Sequence, residues 1–274
     1  MSSIYQGFQD TRQMTDVADL FRWLDLADGH ELIQDIKRRM LEVRPAHEGE
    51  RVLDVGCGLG HEVRRWAQRL GPRGRVVGVD QSEPMIAQAR RRGTESPVEY
   101  LVGDARRLEL ADDSFDLCRA ERVLRYIEQP EQALREMARV VRPGGEVVVF
   151  DFDSDHTIVD APDPALTRRI AEVLDAAVPN PWMGRQLPRL FRQVGLTEVT
   201  VVPHVLILTS PQHLPIYRRL VAGPLDRAVA AGQIGASDVA RWWDLVQQAD
   251  RGGAFFAATL GCIVRGRKPD PRGD

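Results

Sequence analysis

The run Val52-Leu53-Asp54-Val55-Gly56-Cys57-Gly58-Leu59-Gly60 joins an apolar stretch, an embedded acid and three alternating glycines. Such glycines let a chain turn sharply and bring backbone N–H groups close to a ligand with no Cβ in the way. The chemistry is that of a cradle for a nucleotide-like molecule at the end of a strand. His61 stands where a dinucleotide fingerprint needs a glycine for close helix–strand packing, which argues against NAD. His61 itself reads as a cap or lining of the loop. Asp54 lies inside the apolar stretch, where an ionised carboxylate is costly unless hydrogen-bonded. It is expected to bond loop amides or a cationic ligand.

More residues of this kind follow in order. Arg75 to Asp80 reads as a second strand ending in an acid, about 20 residues past the loop, where nucleotide-binding α/β folds bond ribose hydroxyls. Gln81-Ser82-Glu83-Pro84-Met85 opens a helix, with Ser82 as N-cap and Pro84 in the first turn. Val98 to Gly103 is a third strand, followed by Asp104-Ala105; Ser114 to Leu117 opens a fourth. Arg142-Pro143-Gly144-Gly145 is a turn, and Glu146 to Phe150 a fifth strand. Over residues 45–155, with weaker traces to Arg267, this order resembles the class I S-adenosylmethionine-dependent methyltransferases. The general look is that of the ubiquinone/menaquinone and natural-product enzymes.

The resemblance implies S-adenosyl-L-methionine as cofactor, leaving as S-adenosyl-L-homocysteine. It implies ribose on Asp80 and the adenine amine on Asp104, with Met85 against the ring. Asp54, Gly56, Cys57, Gly58, Gly60, Gln81, Gly103 and Ala105 complete the expected cofactor set, with Arg119 and Glu121 of the next strand. Glu121 reads either as a contact to the methionine end or substrate, or as a cap or ion-pair partner of Arg122.

Methyl transfer from a sulfonium is an in-line displacement that chiefly needs alignment and exclusion of water. No His/Cys/Asp cluster has metal-ligand spacing, so no metal is expected. The fifth strand runs into Asp151-Phe152-Asp153-Ser154-Asp155-His156, and in the family this strand end faces the substrate. His156 is the first candidate general base because imidazole titrates near neutrality, and Asp153 is the second. Asp151 reads as structural. Trp182, Met183 and Arg185 are candidates for the substrate pocket, Arg185 as a fork for a carboxylate or ketone oxygen. Tyr5 and Phe8 are candidates for an aromatic lid.

Two helical patterns precede the first strand, one either side of Asp28-Gly29-His30, and residues 1–44 are read as a helical lid. Residues 45–274 then form the cofactor-binding domain. Alternating strands and helices imply a parallel sheet covered on both faces. The fold class is α/β: a Rossmann-like, mostly parallel seven-stranded sheet with an antiparallel last strand. Asp163–Ala177 and Arg185–Val194 read as helices, Val199–Leu208 as the sixth strand and Ala254–Arg265 as the last. The last two strands are separated by about 40 residues with their own helical periodicity, Pro211–Ala230 and Ala236–Ala249, too long for a plain loop. Insertions at about 157–195 and 211–253 are expected to cap the crevice.

The 274 residues suffice for such a domain, and a formal net charge of -3 without a basic, aromatic-interleaved stripe argues against nucleic acid. The three cysteines have no paired spacing, and Met1 to Asp10 lacks a basic and an apolar region. With no apolar run long enough to span a bilayer, a cytoplasmic monomer or homodimer is expected. The leading reading is methyl transfer to an O, C or N atom of a small molecule, a specialised metabolite or quinone-like compound. The competing reading is a fold relative that binds the same cofactor but promotes another reaction or serves as a partner subunit.

Overall fold

The strands carry the architecture because their residues are apolar on both faces. β1 (Arg51–Val55), β2 (Arg75–Asp80), β3 (Val98–Val102) and β4 (Phe115–Glu121) are parallel neighbours. β5 (Val141–Val159) pairs parallel with β4. β7 (Ala257–Arg267) runs antiparallel between β5 and β6 (Thr197–Leu208). The order is β3-β2-β1-β4-β5-β7-β6. The chain winds outward from β1 to β3, then restarts at β4 on the other side of β1. That switch point leaves a crevice beyond the carboxyl ends of β1 and β4, where ligands of such sheets bind. The structure, a computed structural model, describes residues 17–93, 97–210 and 212–271, and of 156 and 157 only the backbone.

Helices cover the sheet unequally. On one face α2 (Glu31–Val43), α3 (His61–Leu70) and α4 (Glu83–Arg91) pack through Ile36, Val63, Trp66 and Ile86 on Val52, Val76 and Leu117. α6 (Pro164–Asp175), α8 (His213–Ala230) and α9 (Ala236–Arg251) continue that core around Tyr217 and Trp242. On the opposite face α5 (Pro130–Val140) and α7 (Met183–Gln193) bury Leu134, Met137, Leu187 and Phe191 on Leu53, Val147 and Val149. α1 (Val17–Gly29) sets Leu20 and Trp23 against Leu59 and Met85, across the glycine loop. His30 ends it by N-capping α2, its ring accepting from Leu32 N at 3.3 Å.

Three differences from the sequence reading matter for the site. The expected turn at 142–145 lies within β5 as a bulge, where the register against β4 jumps from Phe115↔Val141 to Leu117↔Glu146 and Gly144 has φ +74°. The segment 151–156 is strand, paired with β7 through Asp153↔Leu260 before the register shifts. Alternation along β5 therefore sends 152 and 154 to one face and 151 and 153 to the other. The expected insertion at 157–195 also divides. α6 joins the cap side, while α7 packs on the far face, so only the first half of it caps the crevice.

Candidate active site

The loop after β1 is shaped by backbone bonds. Gly56 N and Cys57 N donate to Val79 O at 2.7 and 3.0 Å, tying the loop to β2. Gly60 has φ +71°, and a Cβ there would fall 2.5 Å from the Tyr100 hydroxyl oxygen, so only glycine fits. Gly58 has φ +51°, and a Cβ built on it would meet nothing within 4 Å. That open side faces a cavity of about 900 Å³ which Gly56, Cys57 and Gly58 help to line. Asp80, at the end of β2, accepts from Gly58 N at 2.8 Å and Ser82 N at 2.9 Å. Burial still pushes its carboxyl up against those two donors. Asp80, Gln81 and Met85 line the same cavity, as do Gly103 and Asp104. Asp104 is half exposed and forked by Arg106 at 2.7 to 3.1 Å, which holds it below its ordinary range. Ala105 is not among the lining residues; its side chain packs toward the far-face core.

Below the loop lies a buried charge network that the sequence showed only in part. Asp54 stands opposite Arg119 in the β1–β4 ladder, and the two pair at 2.7 Å. Both are 3% exposed. Glu121, two residues along β4 on the same face, takes Arg119 at 3.1 Å, Lys37 of α2 at 3.1 Å and Arg122 at 3.0 Å. Glu62 of α3 meets Lys37 at 3.3 Å and Arg65 at 2.7 Å. Asp28 of α1 closes the set on Arg65 at 2.5 Å. Four acids and four bases thus balance, as buried charges must. Burial pushes Asp54 up to about 6 despite Arg119. Burial would also raise Glu121, but Lys37, Arg122 and Arg119 together hold it far below its ordinary value. Glu121 borders the cavity and also pairs with Arg122.

The expected catalytic and substrate residues are placed otherwise. Asp153 is 1% exposed and forked by Arg185, with one contact at 2.7 Å. It faces α7 rather than the cavity, with Arg185 on both of its carboxylate oxygens, so the structure does not bring it to the site. Met183 is fully buried in the far-face core, and Trp182 is 49% exposed with Arg185 stacked on its ring. None of these three lines the cavity, because the helix they open covers the opposite face of the sheet. Tyr5 and Phe8 lie outside the described residues, as does the side chain of His156.

The cavity wall beyond the loop comes instead from residues the sequence left unmarked. Phe152 and Ser154 project into it from β5, Tyr217 and Val221 from α8, and Leu206 and Leu208 from β6. Period-two alternation along β5 was the signal that could have found the first two. Arg125, 7% exposed, is anchored there by Ser154 Oγ at 2.7 Å and stacks on Phe152. Arg122 adopts φ +59°, a strained setting for a long side chain at a strand end. Among the described residues no group of three or more His, Cys, Asp and Glu could hold a metal ion, and no helix is long and apolar enough to cross a membrane.

A doubly wound sheet with a left-handed glycine loop at its switch point, and acids ending β2 and following β3, defines an α/β protein built around a nucleoside-bearing ligand. Residues 53–149 match the family model described as a methyltransferase domain. The chain is 38% identical over 256 residues to an uncharacterized 37.1 kDa protein in transposon TN4556 of Streptomyces fradiae, covering 92% of this chain and 73% of that one. It is 33% identical over 162 residues to a ubiquinone/menaquinone biosynthesis C-methyltransferase of Ectopseudomonas mendocina, covering 53% of this chain and 62% of that enzyme's length. Phosphoethanolamine N-methyltransferase 2 of Haemonchus contortus, solved in complex with S-adenosyl-L-methionine, shares the fold at TM-score 0.61 and 17% identity, over 98% of this chain and 61% of that one. The chain belongs to the class I S-adenosylmethionine-dependent methyltransferases.

Proposed function

We propose that this protein transfers a methyl group to an O, C or N atom of a small, largely apolar molecule held under its helical cap. One observation carries the reading: a single cavity runs from Gly58, Asp80 and Asp104 to Tyr217, Leu220 and Leu208. Nucleoside-binding groups line one end and apolar cap side chains the other. The fit to S-adenosylmethionine rests on the open space over Gly58 and on the donors and acceptors around it. Asp80 would hold the ribose hydroxyls, Asp104 the adenine amine, and Met85 one face of the base. Asp54 and Glu121 offer anions to an ammonium group, and Arg119 a cation to a carboxylate.

When bound, the cofactor supplies an electrophilic methyl carbon with a neutral thioether as leaving group. The chain's own part is alignment and dryness. α1, α2 and the α6–α8–α9 cap act as the lid. Leu24, Ala27 and Ile33 come from the first pair of helices, and Ile216 and Leu220 from α8. Polar contacts hold α1 in place: Asp25 receives Arg92 at 2.6 Å and His61 at 2.8 Å, and Asp19 receives Arg219 at 3.0 Å. The likeness to a quinone-biosynthesis C-methyltransferase makes quinone-like compounds the first acceptors to try. Calorimetry with S-adenosylhomocysteine, followed by mass spectrometry of a quinone, phenol and amine panel incubated with S-adenosylmethionine, tests the reading. Tight binding and a mass gain of one methyl group support it. No binding of either cofactor form refutes it.

A further inference from the structure

Asp175 is the last residue of α6, and its side chain lines the cap end of the cavity beside Leu174, Phe152 and Ser154. The other acids that line the cavity are held, save Glu83 at its exposed rim. Asp54 has Arg119, Asp28 and Glu62 have Arg65, Asp80 has two backbone N–H groups, Asp104 has Arg106, and Glu121 has Lys37. The Asp175 carboxylate makes no hydrogen bond or ion pair with another described residue. Its helix presents a negative C-terminal end to it, a setting that disfavours a carboxylate. Arg125 lies in the same pocket and is immobilised from several sides. Its N–H bonds Asp151 at 3.1 Å, its guanidinium bonds Ser154 at 2.7 Å, and its ring neighbours are Tyr126 and Phe152. The loop after α6 is pinned to the same turn, with Asn180 N donating to Arg125 O at 3.1 Å and Asn180 Nδ2 to Ile127 O at 2.6 Å. An unheld carboxylate and a fixed guanidinium are thus kept together at the acceptor end.

We propose that Asp175 is the proton acceptor for an acidic hydroxyl, of the phenol or enol class, whose oxygen faces Arg125. The inference rests on the methyltransferase reading above. The hydroxyl's O–H bond breaks and the proton passes to the Asp175 carboxylate. The oxygen's electron pair forms the new bond to the methyl carbon. The electrons of the methyl–sulfur bond remain on sulfur as a neutral thioether, so charge balances. A neutral amine would need no base, and a cationic guanidinium in the pocket disfavours an ammonium but favours a developing oxyanion. The charged groups whose fields reach Asp175 are Asp155 and Asp153 of β5, Arg125 of the turn after β4, and Arg185 of α7, and of these Arg125 alone also lines the cavity. Burial first, then Asp155, push its carboxyl up to about 6 against Arg125. That value places its conjugate base near working pH, where a general base is most effective.

The test uses the full chain with Asp175→Asn and Asp175→Glu, and catechol and 5-pentylresorcinol as probe acceptors. Asp175→Asn is expected to lower phenol methylation at least tenfold and to remove the acidic limb of its kcat/KM–pH profile, with Asp175→Glu restoring part of both. S-adenosylhomocysteine affinity should not change. Phenol turnover within twofold of wild type in Asp175→Asn, or methylation confined to amine probes, overturns the proposal. A second arm needs no acceptor. A carboxylate raised in the folded state penalises folding above its folded pKa, and the penalty fades as pH falls toward its unfolded value. Asp175→Asn should therefore melt above wild type at pH 8, with the gap closing by pH 4. A variant that melts below wild type at pH 8 means a structural acid and also overturns it. Failure of the wild-type chain to bind S-adenosylhomocysteine would instead sink the methyltransferase reading.

Discussion

Arg119→Met removes the cation at the centre of the buried network while keeping an apolar stem of similar length. Arg119 is the contact that Asp54 receives at 2.7 Å, and one of three cations on Glu121. Lys37 and Arg122 remain to hold Glu121, so the damage should concentrate on Asp54. Breaking one side of a buried pair costs about 3–5 kcal/mol, because the remaining charge is left in low dielectric. For a chain of this size each kcal/mol lowers the melting temperature by about 2–4 °C, so a fall of roughly 6–20 °C is expected. The effect should depend on pH. Asp54 is already up to about 6 with Arg119 present, and burial is the cause. Its folded-state pKa lies above its unfolded value, so it penalises folding above about 6 and less as pH falls toward 3.8. Losing Arg119 raises it further, so the variant should lose less stability at pH 5 than at pH 8. Adding Asp54→Asn should recover part of the loss at pH 8 and little at pH 5. Differential scanning fluorimetry across that range is the assay. A fall under about 3 °C, or the same fall at both pH values, would mean that Asp54 is satisfied without Arg119, and the charge balance described above would be wrong.

Three further outcomes follow. Asp80→Ala should weaken S-adenosylhomocysteine by about 1–3 kcal/mol in calorimetry, since buried donors lose their acceptor, and unchanged affinity would remove the ribose assignment. Gly58→Ala should cost about 1–2 kcal/mol of stability for a left-handed residue, but a larger share of cofactor affinity because its methyl enters the open side of the loop; equal affinity with only a lower melting temperature would place the ligand elsewhere. Arg185→Met should destabilise by about 1–3 kcal/mol by leaving Asp153 buried without its fork, with cofactor affinity intact. Lost affinity at an unchanged melting temperature would return Asp153 and Arg185 to the site.

The end of the cavity lined by the glycine loop and its acids was legible in the sequence because its signals are local. Glycine spacing, the acid ending a strand and the acid after the next strand are each confined to a few residues. Four of the five expected parallel strands need little correction. β5 needs the most, because its turn residues are absorbed as a bulge and its tail pairs with β7, which comes more than 100 residues later in the chain. No local pattern reports a partner that distant.

The cap end of the cavity was not legible, for a geometric reason. Helices α6 and α7 follow one another with similar periodicity, yet one lies on each face of the sheet. Trp182, Met183 and Arg185 therefore look like pocket residues in sequence and cover the far side in space. Asp153 and Ser154 are neighbours in sequence, but strand alternation puts only Ser154 in the cavity. Lys37 carries no motif, and Arg119 was expected at the cofactor rather than in an ion pair; they meet Asp54 and Glu121 because β4 restarts beside β1 and α2 lies over both. The sequence by itself determined the order of strands and helices, the cradle and its acids, since each depends on backbone conformation and residue type over a short span. The tertiary structure alone decided which faces meet, which acids are neutralised and that Asp175, recessed in the pocket, is held by no other described residue. Those outcomes depend on side-chain packing between segments far apart in the chain.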